Sequence, residues 1–175
     1  MTDVPEGTRT HREDARRFAQ LRTAVLTVSD SRTIETDESG PLIRKTLVGA
    51  GHEVLALALL PNDESRVRAH VAEWLARTDL DLILITGGTG LGSRDRTVEA
   101  VRPLMEKEIP GFGELFRLLS FQEQVGTAAI LSRALAGSAR GKLVVSLPGS
   151  RAAVDLALQR ILLPEAAHLI RELRR

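Results

Sequence analysis

Residues 80–95 read Leu80-Asp-Leu-Ile-Leu-Ile-Thr-Gly-Gly-Thr-Gly-Leu-Gly-Ser-Arg-Asp95, so an apolar run leads directly into a glycine-rich loop. The apolar run is typical of a strand buried on both faces of a sheet. The loop contains Gly87, Gly88, Gly90 and Gly92, and glycines let backbone N–H groups approach a ligand closely. A helix predicted to begin near Thr97 would add the positive end of its dipole. The stretch therefore predicts an α/β fold with a phosphate-binding loop, in which Asp95 is a candidate metal ligand.

Two common nucleotide-binding motifs do not fit this loop. The spacing from Gly87 to Gly92 matches a P-loop, but Ser93-Arg94 stands where that motif needs Lys-Ser or Lys-Thr. In the dinucleotide-binding fingerprint, Ser93 would replace the third glycine, and no acidic residue is evident at the end of a following strand. The sequence thus disfavours both a standard P-loop NTPase and a nicotinamide-dependent enzyme.

The composition of the chain limits its partners. With 175 residues, 43% of them hydrophobic, the chain is long enough for one domain with a substantial core. Its 24 basic and 23 acidic residues nearly cancel, and only 3% of residues are aromatic, so we expect no nucleic-acid partner. No segment resembles a membrane span or a signal peptide, which predicts a cytoplasmic protein without a membrane partner.

The metal ligands available to the chain are limited in kind. There is no cysteine, which excludes disulfides, thiolate metal sites and cysteine nucleophiles. The four histidines are too scattered in the sequence to indicate a zinc cluster: His11, His52, His70 and His168. Any metal is therefore expected to be a hard cation bound by oxygen.

The order of segments predicts a single α/β domain at residues 21–175, preceded by a flexible N-terminal arm at residues 1–20 that is rich in charged and turn-forming residues. Strands are predicted at residues 23–28, 52–60 and 80–85, with a helix at residues 39–50. A second helix, capped by Asn62 or Asp63, carries Trp74 on its apolar face as a core residue. This βαβαβ pattern is typical of a parallel sheet covered by helices.

The second half of the chain predicts an antiparallel addition to the sheet. A helix at residues 97–105 is followed by a break at residues 109–114, because a proline and two glycines there disfavour a continuous helix. Phe112, Leu115, Phe116 and Leu119 then share one helical face, which packs on its own core or on a neighbouring subunit. Strands at residues 128–135 and 142–147, joined by residues 137–141, predict a hairpin and a mixed sheet. Helical sequence follows from residue 150 to residue 173, interrupted or restarted at Pro164.

Polar residues follow four of the predicted strands. Ligands in open α/β sheets bind beyond the carboxyl ends of the strands, so these four tips are expected to meet at one edge. The tips are Ser29-Asp30-Ser31, Pro61-Asn62-Asp63, Thr86 to Asp95, and Leu147-Pro148-Gly149-Ser150. Asp63 and Asp95 are the candidate ligands for Mg²⁺ on a nucleotide phosphate. Either carboxylate has a simpler alternative role as a helix cap.

Five blocks of sequence stand out in their order along the chain: Thr27-Val-Ser-Asp-Ser31, Ile85-Thr-Gly-Gly-Thr-Gly90 with Arg94-Asp95, Pro110-Gly-Phe-Gly-Glu114, Ser132-Arg-Ala134 and Leu147-Pro-Gly-Ser150. Together these blocks resemble the MoaB/MogA family of molybdenum-cofactor biosynthesis proteins. The resemblance covers roughly residues 21–170, and Leu119-Ser-Phe121 is closer to the MoaB branch.

The resemblance implies a three-layer α/β/α sandwich with a mixed, mostly parallel sheet, assembled as a homo-oligomer (trimer or hexamer). It also implies an activity, the adenylylation of molybdopterin by Mg²⁺ and ATP with release of pyrophosphate, before a partner protein inserts molybdate. A MoaB-like protein that only binds or carries the pterin is the alternative.

The resemblance further implies roles for individual residues. Asp95 and Asp63 would coordinate Mg²⁺ and act in catalysis. In the tip Asn62-Asp63-Glu64, however, the carboxylate that matches the family's second acidic position is open by one residue. The remaining residues would contact the nucleotide, the pterin or their phosphates: Ser29, Asp30, Ser31, Thr86, Gly87, Gly88, Thr89, Gly90, Arg94, Ser132, Arg133, Pro148, Gly149 and Ser150.

Overall fold

The computed structural model describes residues 20–175, and residues 1–19, which hold most of the predicted N-terminal arm, lie outside the described residues. The strands are β1 (Arg22–Val28), β2 (Glu53–Leu60), β3 (Leu82–Thr86), β4 (Lys107–Glu108), β5 (Leu135–Ala139) and β6 (Lys142–Leu147). The α-helices are α1 (Ser39–Gly49), α2 (Glu64–Ala76), α3 (Thr97–Val101), α4 (Pro110–Ser120), α5 (Arg151–Ala157) and α6 (Leu163–Leu173). Short 3₁₀-helices lie at Arg102–Leu104, directly after α3, and at Gly126–Leu131. Short π-helical segments lie at Phe121–Val125 and Leu158–Leu162.

The six strands form one mixed sheet in the order β2-β1-β3-β6-β5-β4. Strands β2, β1, β3 and β6 run parallel, β5 is antiparallel to β6, and β4 is antiparallel to β5. The predicted mixed, mostly parallel sheet is confirmed. The central strand β3 lies between β1 and β6, so the glycine loop that follows it begins at the middle of the sheet edge.

Helices cover both faces of the sheet, which confirms the three-layer arrangement. One core packs the sheet against α1, α4, α5 and α6, through residues such as Ile43, Phe116 and Val154. The other core packs it against α2 and α3, with Val71, Trp74 and Val101 among its members. Trp74 is a buried core residue, as predicted. None of the helices in residues 20–175 has the length and apolarity needed to cross a membrane.

Two predicted boundaries are wrong. Residues 128–131, predicted as the start of a strand, belong to the 3₁₀-helix Gly126–Leu131, and β5 instead occupies Leu135–Ala139, including part of the predicted connection. The position within this strand requires a glycine, Gly137, because the neighbouring strand β4 lies so close that a Cβ there would stand 2.6 Å from the carbonyl oxygen of Lys107. The predicted break at residues 109–114 is also shorter than expected, since α4 begins at Pro110, a residue well suited to the first turn of a helix.

Candidate functional site

A cleft of about 560 Å³ lies at the carboxyl ends of the parallel strands. The tips of β1, β3 and β6 form one side of it, and α4 with the turns that follow forms the other. Most of the predicted site residues line this cleft: Ser29, Asp30, Ser31, Thr86, Gly87, Gly88, Thr89, Gly90, Asp95, Ser132, Pro148, Gly149 and Ser150. The expectation that polar strand tips meet at one sheet edge is therefore confirmed for these residues.

Hydrogen bonds join neighbouring strand tips into a continuous edge. The carboxylate of Asp30, after β1, accepts a hydrogen bond from the backbone N of Asn62, after β2, at 2.8 Å. The hydroxyl of Thr86, at the end of β3, donates to the carbonyl of Pro148, after β6, at 3.1 Å. The bond from Asn62 is the main reason that the pKa of Asp30 is lowered, so Asp30 carries a negative charge in the cleft at neutral pH.

The first two glycines of the loop are required by close backbone approach. Gly87 and Gly88 have φ values of +95° and +62°, a region that favours glycine. A Cβ on Gly87 would stand 2.1 Å from the carbonyl oxygen of Val28. A Cβ on Gly88 would stand 2.3 Å from both Asn62 Oδ1 and Thr97 Oγ1. The loop can therefore leave the sheet between β1 and β6 only with glycine at these two positions.

The glycine loop contains a row of unpaired backbone donors. Within the described part of the chain, the N–H groups of residues 88–91 meet no protein hydrogen-bond acceptor. Gly88, Thr89 and Gly90 of this row line the cleft. Successive unpaired N–H groups that face one cavity form a suitable site for a phosphate.

Asp95 lies against the loop rather than at the helix that follows. Its Oδ2 accepts a hydrogen bond from the backbone N of Gly92 at 3.1 Å, and the N–H of Asp95 donates back to the carbonyl of Gly92 at 2.9 Å. The alternative role as a cap is wrong, because no side chain caps α3 and the N–H of Thr97 donates to the carbonyl of Gly88. Asp95 thus keeps its carboxylate beside the free N–H groups.

This arrangement fits a metal ion that is held partly by its substrate. Among residues 20–175, no three His, Asp or Glu side chains are grouped closely enough to hold a metal by themselves. Mg²⁺ in nucleotide sites commonly uses one or two carboxylates, with phosphates and water completing its six ligands. Asp95 supplies such a carboxylate next to the row of unpaired N–H groups.

The second predicted metal ligand does not lie in the cleft. Asp63 caps α2: its Oδ1 accepts hydrogen bonds from Ser65 Oγ at 2.6 Å and from the backbone N of Arg66 at 3.0 Å. These bonds lower the pKa of Asp63, with that from the Ser65 hydroxyl contributing most. The residue of this tip that lines the cleft is Asn62. A metal role for Asp63 is therefore not supported, and capping, its simpler alternative, is confirmed.

Neither predicted arginine lines the cleft. Arg94 is exposed at the rim, with its guanidinium 3.6 Å from Asp30. Arg133 instead turns to the glycine loop, donating to the carbonyls of Thr89 and Asp95, each at 2.9 Å, and pairing with Glu99. The sequence did not indicate Glu99, because an acidic residue within a short helix has no distinguishing pattern.

Other residues of the cleft were also missed. Among the described residues that line the cleft, Arg32 is the one with a cationic side chain, and its present hydrogen bond to the carbonyl of Thr36 is long, at 3.3 Å. Below the cleft, the buried carboxylate of Asp37 accepts hydrogen bonds from Thr27 Oγ1 at 2.7 Å and from the N–H of Ser39 at 2.9 Å. The opposite wall, which includes Phe116, combines α4 with the turns after it.

Comparison with known proteins agrees with this geometry. Residues 24–168 match the domain family described as "Probable molybdopterin binding domain". A curated relative, molybdenum cofactor biosynthesis protein B of Halalkalibacterium halodurans, is 50% identical over 163 residues, which cover 93% of this chain and 95% of the relative.

Solved structures share the fold over almost their whole length. A crystal structure of a molybdenum cofactor biosynthesis protein B superimposes with a TM-score of 0.87 at 44% identity, covering 90% of this chain and 98% of that one. The tungsten cofactor synthesizing protein MoaB from Pyrococcus furiosus gives a TM-score of 0.80 at 37% identity, covering 89% and 98%. The chain therefore belongs to the MoaB/MogA family of molybdenum cofactor biosynthesis proteins.

Proposed function

We propose that the protein adenylylates molybdopterin, using ATP and Mg²⁺, within molybdenum cofactor biosynthesis. The observation that carries this proposal is the row of free N–H groups at residues 88–91 beside the carboxylate of Asp95. Such a site can hold the phosphates of a nucleotide and the cation bound to them. The family match supports a pterin as the second substrate.

The cleft is polar and large enough for a phosphorylated small molecule. Its volume of about 560 Å³ is within the usual range for small-molecule sites. The ATP phosphates would lie on the glycine loop, and the pterin with its terminal phosphate would lie between Ser29, Ser132 and Ser150. The hydroxyl of Ser150 already accepts a hydrogen bond from the N–H of Ala153 and can still donate its own proton.

The proposed reaction needs orientation and charge neutralisation more than acid–base chemistry. An oxygen of the pterin phosphate forms a bond to the α-phosphorus of ATP, the bond between the α-phosphorus and the bridging oxygen breaks, and pyrophosphate leaves. The N–H row would hold the departing phosphates, and Arg32 would face the negative charge of the substrates. Bound Mg²⁺ would neutralise phosphate charge, with Asp95 as its protein ligand.

The test compares Asp95, which lines the cleft, with Asp63, which does not. The full chain is incubated with molybdopterin, ATP and Mg²⁺, and pyrophosphate and adenylylated pterin are measured beside a MogA-type control enzyme. Asp95→Asn is expected to lower turnover ~10²-fold or more, since it removes a charge aimed at the reacting phosphates. Asp63→Asn is the matched control: asparagine still caps α2, so turnover should not change.

The outcomes separate the proposal from its alternative. If the wild-type protein binds molybdopterin but releases no pyrophosphate while the control enzyme does, the protein is a pterin-binding or carrier member of the pathway. If Asp95→Asn is fully active, Asp95 is not the metal ligand of the reaction. Equal losses in both variants would also contradict the proposed role of Asp95.

We further propose that the protein is a homo-oligomer, a trimer or a hexamer, and that the product passes to a partner protein that inserts molybdate. Support for self-association comes from an apolar surface on α4 and the turn after it, where Leu118, Phe121 and Val125 are each about half exposed. The side chains of Phe112 and Phe116 on the same helix are buried in the core. Light scattering is the test, because a monomer at working concentration would contradict self-association.

A further inference from the structure

We propose that Arg133 is a positioning residue, which sets the direction of the phosphate-binding N–H groups from outside the cleft and does not bind the phosphates itself. This inference rests on the proposed function, because it concerns the same glycine loop. Arg133 does not line the cleft, although its neighbour Ser132 does. Arg133 therefore contacts the loop from outside the cleft, whereas Ser132 lies in its wall.

The guanidinium of Arg133 contacts both ends of the loop. Its Nε donates to the carbonyl oxygen of Thr89, and its Nη2 donates to that of Asp95, each at 2.9 Å. Thr89 belongs to the free N–H row, and Asp95 is the proposed metal ligand. One side chain thus holds the phosphate-binding part of the loop and the metal-binding part at a fixed separation.

Because the peptide group is planar, a contact that fixes a carbonyl also fixes the direction of the N–H group that follows it. In a trans peptide, the carbonyl of one residue and the N–H of the next point in opposite directions. Because the carbonyl of Thr89 faces Arg133, the N–H of Gly90 points away from Arg133. The carbonyl of Gly88 likewise accepts from the N–H of Thr97 at 2.9 Å, so the N–H of Thr89 points away from α3. Both groups belong to residues that line the cleft.

Glu99 adds an ion pair to the same guanidinium. Its Oε1 accepts from Arg133 Nη1 at 2.5 Å and its Oε2 from Nη2 at 3.4 Å. The hydrogen bond from Arg133 keeps the pKa of Glu99 below its usual value, so the pair is ionic at neutral pH. Glu99 belongs to α3, whose first residue, Thr97, already binds the loop through Gly88. Loop, helix and arginine therefore form one connected unit.

Only arginine can make this set of bonds. Its planar guanidinium carries five N–H donors in a fixed fork, so it reaches two carbonyls and a carboxylate at once. A lysine ammonium could keep the ion pair with Glu99, but it cannot span the carbonyls of Thr89 and Asp95 together. Arg133→Lys therefore keeps the charge that pairs with Glu99 and loses the loop contacts. Glu99→Gln removes the charge of Glu99 and leaves the loop contacts in place.

The experiment measures the loop and the reaction independently. Hydrogen exchange is followed at the amides of Gly92, Asp95 and Thr97, whose hydrogen bonds hold the loop. Arg133→Lys is expected to speed this exchange about tenfold, because the loop opens locally. It is also expected to lower kcat ~10²-fold, since the reacting groups are misplaced, with a smaller change in KM for ATP. Glu99→Gln should change both quantities less than threefold, or about 0.7 kcal/mol.

Arg68→Lys is the matched control, because Arg68 also donates to main-chain carbonyls, those of Glu99 and Ala100, but none of them belongs to the loop. It should leave exchange at the loop amides and turnover unchanged. The proposal is overturned if Arg133→Lys leaves loop exchange unchanged, or if it raises KM for ATP without changing kcat, as a direct phosphate ligand would. If the wild-type protein shows no turnover, the proposed reaction fails, and the exchange rates alone still decide the role of Arg133.

Discussion

The carboxylate of Asp95 lies over Gly90, at a distance that leaves no room for any side chain there. A Cβ on Gly90 would stand 2.6 Å from Asp95 Oδ2, well inside van der Waals contact. The backbone of Gly90 is not in the left-handed region, so an alanine would meet only this steric obstacle. The glycine is therefore required by the position of the aspartate.

Gly90→Ala is expected to displace the carboxylate of Asp95 and to lower turnover ~10²-fold, because the charge would no longer lie beside the phosphates. Stability should change by less than ~0.5 kcal/mol, since Gly90 is exposed. Pyrophosphate release and urea unfolding measure the two effects. Gly111→Ala serves as the control, because no atom lies within 4 Å of its added Cβ. A fully active Gly90→Ala variant would contradict the role given to Asp95.

The fold was largely predictable from the sequence because its signals are local. The apolar runs of β1, β3 and β6 and the turn residues that follow them mark the strands and the edge where the cleft lies. The displacement of β5 was not predictable. Gly137-Ser138 is typical of a turn, and only the close approach of β4 explains a glycine within a strand.

The site was predictable at the level of loops, but less so for individual side chains. Sequence places both Asn62 and Asp63 after β2, but the direction of the chain at the end of a strand decides which of them faces the cleft. The same holds for Ser132 and Arg133: Ser132 lines the cleft, whereas Arg133 does not and donates to the carbonyl of Thr89 in the glycine loop. Arg32 was missed because nothing in its local sequence distinguishes it from the other arginines.

The two polar residues that follow β2, Asn62 and Asp63, give a second prediction. Asp63→Ala removes the side chain that caps α2, so it should lower the free energy of unfolding by about 1 kcal/mol without changing turnover per folded molecule. Asn62→Ala removes a side chain that lines the cleft and should raise KM for a substrate about tenfold. Chemical denaturation and steady-state kinetics are measured for both variants. A loss of turnover in Asp63→Ala, but not in Asn62→Ala, would mean that Asp63 and not Asn62 acts in the cleft.

Charge in the cleft gives a third prediction. Of the residues within 20–175 that line it, Asp30 and Asp95 are acidic and Arg32 alone is basic, although both proposed substrates are polyanions. Arg32→Ala should therefore raise KM about tenfold for the substrate whose phosphate it faces, the loss of one charge-assisted hydrogen bond. Arg44→Ala, on the exposed surface of α1, is the control. Unchanged KM values for both ATP and molybdopterin would exclude Arg32 from phosphate binding.

The last prediction concerns a buried carboxylate and its two arginine partners at the opposite end of the sheet. Asp81, whose side chain is 5% exposed, accepts hydrogen bonds from Arg22 Nη2 at 3.0 Å and from Arg174 Nη2 at 2.6 Å. Burial alone would raise the pKa of Asp81, but the hydrogen bonds from Arg22 and Arg174 outweigh it and lower the pKa to about 2. The ionised carboxylate thus anchors the end of α6 to the beginning of β3.

Because this pKa lies below its value in the unfolded chain, the stabilisation is present above about pH 4 and is lost as the pH falls toward 2. The shift corresponds to about 2 kcal/mol at neutral pH. Asp81→Asn should therefore be less stable than the wild type at pH 7, and urea midpoints measured from pH 7 to pH 2 should converge as the wild-type carboxylate is protonated. The other carboxylates titrate in both proteins, so only the difference between the two curves reports on Asp81. A difference that stays constant over this range would mean that the charge of Asp81 does not stabilise the fold.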